Sequence, residues 1–424
     1  MRFEHPEHTG KRVRLAYCLN LHSAEDLGAL LEGMRLVTLP LRERLAAKEE
    51  LFGVGMYLPA GLAARLASPQ GRRDLAELSR FLVGHRLDPF TFNAFPAGAF
   101  HQSGIKEGVF RPTWLEEERV RFTLDVAQVA ARLVRALRLP GSHISISTHS
   151  GGFGAWPRGE QDARRCAQNL GRVAQGLLRY GLDTGPRFLL ALEAEPRAAA
   201  GDSAALASFL DRVPEWIGDA VEPWVIARGI GTCLDACHSA VEFEEPGAAF
   251  ASATAHAPIG KLQYSSAISV RDPADRPSAV QALLAMDEPR YLHQVTGVAS
   301  SRREGVADLP DLQRQLGGPQ RERWLSCREW RCHFHVPVDL ERVGETGLGT
   351  TRDHASALLD VALAQPRKWG VDELHLEIET YTWDILKGAA RGAGDMVDGL
   401  QREYEHVIGR LASQGWLHDD GAVG

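Results

Sequence analysis

The chain has 424 residues, a formal net charge of −7, 44% hydrophobic and 24% charged residues. Those shares belong to a globular protein with a large core, and the acidic balance leaves no electrostatic footprint for nucleic acid. No run of about 18 apolar residues exists, so no membrane insertion is expected. The start, MRFEHPEHTGKRVRLAYCLN, has no apolar signal segment, which makes the expected localisation cytoplasmic.

Short runs rich in β-branched and apolar residues predict strands along the whole chain. They are RVRLAYCLN (12–20), FGVGMYLP (52–59), PFTFNAFP (89–96), HISISTHS (143–150) and RFLLALEAE (187–195). GTCLDACH (231–238), KLQYSSAI (261–268), RCHFHVPV (331–338) and LHLEIETYTW (374–383) complete the set. Between them, 115–139, 160–180, 203–218, 352–366 and 395–412 carry apolar residues at helical spacing. Strands alternating with helices mean βαβ units and a parallel sheet. No glycine-rich phosphate loop follows the first strand, which disfavours an open doubly wound sheet. The expected fold is therefore α/β, a (β/α)8 TIM barrel formed as one domain over 1–424. Nine strand candidates compete for eight places. The Arg-rich, proline-containing stretch 269–330 is expected to be an insertion after the seventh strand, and RCHFHVPV either pairs outside the barrel or replaces a neighbour.

Catalytic groups of such barrels sit at the C-terminal ends of the strands, and polar residues collect there in this chain. They are Asn20 and His22, Asn93, His149 before GGFG, Glu193 and Glu195, Asp235 and His238, Lys261, Gln263 and Ser265, His333 and His335, and Glu377 and Glu379. A charged group inside an apolar strand is costly unless paired or metal-bound. One such acid alone reads equally well as a salt bridge to an arginine. Acids on three strands at one mouth would repel unless protons or a divalent metal neutralised them. An oxygen-rich set with imidazoles suits Mn²⁺, Mg²⁺ or Zn²⁺.

The six cysteines, at 18, 166, 233, 237, 327 and 332, read as reduced thiols. A structural zinc site from Cys233, Cys237 and His238 with Cys332, His333 and His335 is the alternative. Both runs look like strands, where buried cysteines are commoner than ligands. The loop 93–114 supports two readings. It is a lid bringing His101, Lys106 and Trp114 to a substrate, or a packing loop burying Phe95, Phe100 and Phe110.

LALEAEP, LDACHSAVEFEEP and HLEIETYTW resemble the xylose-isomerase-like barrel superfamily. More closely, AYCLNLH, FNAFPAGAFHQSGIKEGVFRPTW, ISISTHSGGF, HFHVPV and HLEIETYTW resemble the EboE family of metabolite-traffic proteins, over about residues 12–385. That resemblance implies a small secondary metabolite as ligand and a membrane-protein partner encoded in the same operon. The superfamily pattern implies a metal held by Glu193, Asp235 and Glu379. Gln263 stands where the epimerases carry a histidine ligand. His335 is its rival for that place, and Gln263 is expected nearer the metal. Glu193 and Glu379 would then exchange a proton with the substrate, and His238 or Lys261 would donate to the developing oxyanion. Asn93, His101, His149, His238, Lys261, His333, His335 and Glu377 are the expected substrate contacts. The leading expectation is a sugar isomerase/epimerase-like enzyme, and the rival is a non-catalytic metabolite carrier. An abasic-site endonuclease is disfavoured by the acidic charge balance.

Overall fold

The computed structural model describes residues 1–22, 24–98, 104–138, 141–154, 157–386 and 396–419. Eight strands alternate with helices: β1 (Arg12–Cys18), β2 (Phe52–Tyr57), β3 (Leu87–Asn93), β4 (His143–His149), β5 (Arg187–Glu193), β6 (Ile230–Asp235), β7 (Ile259–Tyr264) and β8 (Glu373–Ile378). Each pairs in parallel with the next, and β8 returns to β1 in a register running from Glu373 opposite Arg12 to Ile378 opposite Tyr17. The sheet is closed, and the fold is a (β/α)8 barrel. The predicted helical stretches are the helices Glu117–Leu137, Glu160–Thr184, Ser203–Ile217, Arg352–Ala364 and Met396–Ser413. Their apolar stripes cover the outside of the strands, which are buried almost without interruption as parallel strands must be.

Barrel interiors are usually filled with Val, Ile and Leu; this one is built around polar pairs. The Arg14 guanidinium bonds the Asp88 carboxylate, and Ser145 Oγ lies 2.8 Å from His375 Nδ1. Lys261 Nζ donates to Glu377 Oε2 at 2.7 Å and to the Phe92 carbonyl at 3.0 Å. Room for the last pair comes from Gly55, where an added Cβ would lie 1.8 Å from Glu377 Oε1.

A second, antiparallel sheet lies between β7 and β8. Its six strands run in the order Arg303–Val306, Val295–Val298, Glu329–Val336, Ser266–Arg271, Leu348–Thr350, Arg342–Val343. It packs its own apolar cluster, including Trp324, Trp330, Ile268 and Leu312. The surplus strand is thereby explained. RCHFHVPV belongs to this sheet, outside the barrel, and KLQYSSAI divides at Ser265 between the two sheets. Among the described residues, no helix is long and apolar enough to cross a membrane.

Candidate metal centre at the barrel mouth

Glu193 ends β5, Asp235 ends β6 and Glu379 follows β8. Three carboxylates are thereby brought to one point, each offering an oxygen within 4.8 Å of the others. Among the described residues none of them pairs with an arginine or lysine. Asp235 also caps the helix Ala236–Val241, its Oδ1 accepting from the His238 N–H at 2.8 Å. Cys237 and His238 thus sit on a helix rather than on the expected strand, because the cap turns the chain at Asp235. Glu379 Oε1 accepts from Asn20 Nδ2 at 2.9 Å and from Asn93 Nδ2 at 3.1 Å. Glu193 Oε2 and Asp235 Oδ2 are buried without a hydrogen-bond partner. Burial first, then repulsion from their carboxylate neighbours, holds Glu193 and Glu379 well above the usual carboxylate range. Burial also raises Asp235. Such a group of acids is left wanting either protons or a cation.

Beside the carboxylates, three imidazoles converge. His238 comes from the helix after β6. His333 and His335 come from the strand Glu329–Val336, where its register against Ser266–Arg271 shifts between Cys332 and Val336. Irregularities of this kind re-aim side chains. Here the three Nε2 atoms lie 3.1 Å (His238–His333), 3.2 Å (His238–His335) and 2.8 Å (His333–His335) apart. Their other nitrogens face acceptors. His238 Nδ1 faces the Ala194 carbonyl at 3.0 Å, His335 Nδ1 the Glu379 carbonyl at 2.9 Å, and His333 Nδ1 the Gln294 Oε1 at 2.5 Å. The Gln294 amide is oriented by its own donation to Glu195 Oε1 and the Pro196 carbonyl. The network therefore puts hydrogen on every Nδ1 and a lone pair on every Nε2. Burial discourages protonation, lowering His238 to about 3, His335 to about 4 and His333 well below its usual value. Three lone pairs meeting without a shared proton form an electrophile's site, and carbonyl-anchored Nδ1–H groups are the usual support of metal-binding histidines.

A cavity of about 590 Å³, open mouth included, lies over these donors. Asn20, Asn93, Glu193, Glu195, His238, His333, His335 and Glu379 are on its wall. Several expected contacts are not. Lys261 and Glu377 are sealed beneath it, spent on each other. His149 packs between Phe95 and Phe110, its Nδ1 accepting from the Gly151 N–H. Gln263, expected nearer the metal than His335, lies below the wall with Oε1 accepting from Cys233 Sγ at 2.8 Å. His335 is the one on the wall, and its donors, with those of Asp235 and His238, fall within 4.8 Å. His238 has its one N–H directed to Ala194, so its Nε2 suits a ligand better than an oxyanion donor. His101 and Phe100 lie outside the described residues. From the same loop, Phe95, Ile105, Lys106 and Val109 reach the cavity, while Phe110 and Trp114 are buried away from it.

The cysteine–histidine zinc set is not assembled as a group. Cys332 packs in the second sheet's apolar cluster and Cys233 bonds Gln263, while Cys237 approaches His333 and His335. Sequence reasoning gave Glu195 no role and missed Gln294, whose only signal is a glutamine inside the apolar run RYLHQVTGV.

No protein-family model matches the chain, and no curated protein matches its sequence. Solved structures similar to it include the IOLI protein with a binding zinc atom, at 10% identity and TM-score 0.45 over 95% of this chain and 99% of that one. An L-ribulose 3-epimerase matches at 13% identity and TM-score 0.47, covering 95% of both chains. A D-tagatose 3-epimerase-like protein matches at 11% identity and TM-score 0.43, over 94% of this chain and 100% of that one.

Proposed function

We propose that the protein is a divalent-metal-dependent, isomerase- or epimerase-like enzyme of the xylose-isomerase-like kind, acting on a small hydroxy-carbonyl metabolite. The observation that carries this reading is the convergence of Glu193, Asp235 and Glu379 beside the three Nε2 atoms of His238, His333 and His335. The donors fit a cation. Two carboxylate oxygens lack partners. The Nε2 separations of 2.8–3.2 Å approach the roughly 3.3 Å between nitrogens that share a tetrahedral zinc with bonds of about 2.0–2.1 Å. Mixed oxygen and imidazole donors suit Zn²⁺ or Mn²⁺. His335 supports this set better than Gln263, whose oxygen is turned to Cys233.

A bound cation would supply Lewis-acid polarisation of the substrate's carbonyl or hydroxyl oxygen. The chain's own residues would do the rest. Asn20 and Asn93 hold Glu379 in place, and Glu193 keeps one oxygen uncommitted. These two acids, both on the cavity wall, would remove and return the proton on the carbon next to the carbonyl.

The test is solvent-deuterium incorporation. Purified protein with Mn²⁺ or Zn²⁺ and a panel of 2-hydroxy ketones in D₂O should label the carbon beside the carbonyl, as read by NMR. Glu193→Gln and Glu379→Gln should slow labelling by roughly 10²-fold or more. One observation favours a second reading, a metabolite-binding or trafficking protein of the EboE kind serving a membrane partner. It is Gln263, a poorer ligand that faces Cys233. Metal binding with saturable ligand uptake but no labelling would decide for that reading.

A further inference from the structure

The cavity has two unlike faces. Its floor is acids, amides and imidazoles, whereas the wall above is Phe95, Ile105, Val109 and Leu292, flanked by Tyr291 and Tyr381. Phe95, Leu292 and Val109 belong with Phe110 to an apolar cluster separate from both sheet cores. The wall's described cations are already engaged. Lys106 Nζ lies 2.8 Å from Asp308 and 3.4 Å from Asp287, and Arg290 Nε lies 3.0 Å from Glu288. A phosphate or carboxylate drawing on these described cations would compete with the carboxylates that already hold them. Each hydroxyl of a sugar pressed on Phe95, Ile105, Val109 or Leu292 would lose its water without gaining a partner from these four side chains, a loss of roughly tenfold in affinity.

We propose that the substrate is amphipathic: a hydroxy-carbonyl head on the polar floor, and an uncharged aromatic or alicyclic ring against Phe95, Ile105, Val109 and Leu292. This rests on the cavity being the active site. An unsubstituted sugar or a sugar phosphate fits the wall poorly, while a ring gains by leaving water.

The test titrates the full-length, Zn²⁺-loaded protein by calorimetry with three α-hydroxy ketones that share one head: dihydroxyacetone, dihydroxyacetone phosphate and 2-hydroxyacetophenone. The aryl ketone should bind at least about tenfold more tightly than dihydroxyacetone, given the apolar area a ring buries, and the phosphate no more tightly. Leu292→Asn, or Val109→Asn should the first variant not fold, should weaken the aryl ketone at least about fivefold more than dihydroxyacetone. Equal affinities, a preference for the phosphate, or an aryl preference unmoved in both variants would overturn the inference. Glu379→Gln separates the two levels. If dihydroxyacetone or its phosphate wins but remains sensitive to this change, only the substrate class falls. If no ketone's binding responds to it, the active-site reading falls as well.

Discussion

Replacing Lys261 by methionine tests the electrostatic floor of the site. Its ammonium and the Glu377 carboxylate are fully buried and 2.7 Å apart. Burial works against the ammonium, but the charge and hydrogen bond of Glu377, together with smaller contributions from Cys233 and Cys18, outweigh it and keep the Lys261 pKa raised. At an effective dielectric of about 20, the attraction at that distance is about 6 kcal/mol, against several kcal/mol for desolvating each ion. The pair therefore nearly breaks even against a neutral replacement. Removing only the lysine is different, because Glu377 is then left as an uncompensated charge below three more carboxylates. Lys261→Met should cost about 3–5 kcal/mol, whereas the double variant Lys261→Met/Glu377→Gln should recover most of that loss. Urea denaturation followed by far-UV circular dichroism and tryptophan fluorescence measures both. A double variant no more stable than the single one, or a single variant within about 1 kcal/mol of the parent, would mean that Lys261 does not neutralise Glu377.

Gly55→Ala should be destabilising by about 2 kcal/mol or more, since its Cβ would overlap Glu377 Oε1 and push the ion pair apart; unchanged denaturation midpoints would count against this. Glu403 is buried, accepts from Thr380 and Val338, and is pushed up to about 8, by burial first and then by Asp339. Its folded pKa exceeds the unfolded value near 4.5, so the folded state binds the extra proton between those values. Its contribution to stability is complete below about pH 4.5 and is lost as pH rises to about 8. Glu403→Gln should flatten that part of the stability–pH curve, and an unaltered slope across pH 5–8 would reject the assignment. Zn²⁺ at one hundred times its dissociation constant should raise stability by about 2.7 kcal/mol through linkage, and EDTA should reverse the gain in melting temperature.

Alternation carried most of the fold. The barrel strands read as continuous apolar runs because both faces of a parallel sheet are covered, and the helices kept one stripe each. Acids at the ends of RFLLALE, GTCLD and ELHLEIE stood out because a charge there has few cheap explanations. What the sequence hid was long-range. RCHFHVPV looks like any barrel strand, since a strand of a covered antiparallel sheet is buried in the same way. Nothing local announces the register shift that aims His333 and His335 at His238, because it arises from pairing with Ser266–Arg271. Lys261 and Glu377 misled for the opposite reason. They lie inside the paired strands Ile259–Tyr264 and Glu373–Ile378, where each is consumed by the other one layer below the cavity, a pairing set by neighbouring strands and by the space at Gly55.

The reading proposed above stands on carboxylates and imidazoles at the barrel mouth jointly holding a divalent cation. Equilibrium dialysis against Zn²⁺, with metal counted by plasma mass spectrometry, tests it directly on the parent chain and two double variants, Glu193→Gln/Glu379→Gln and His333→Asn/His335→Asn. At least one tightly held equivalent is expected in the parent, and at least about tenfold weaker uptake in each variant with circular dichroism unchanged. A parent chain that retains no zinc, or two folded variants that retain it as tightly as the parent, would contradict it.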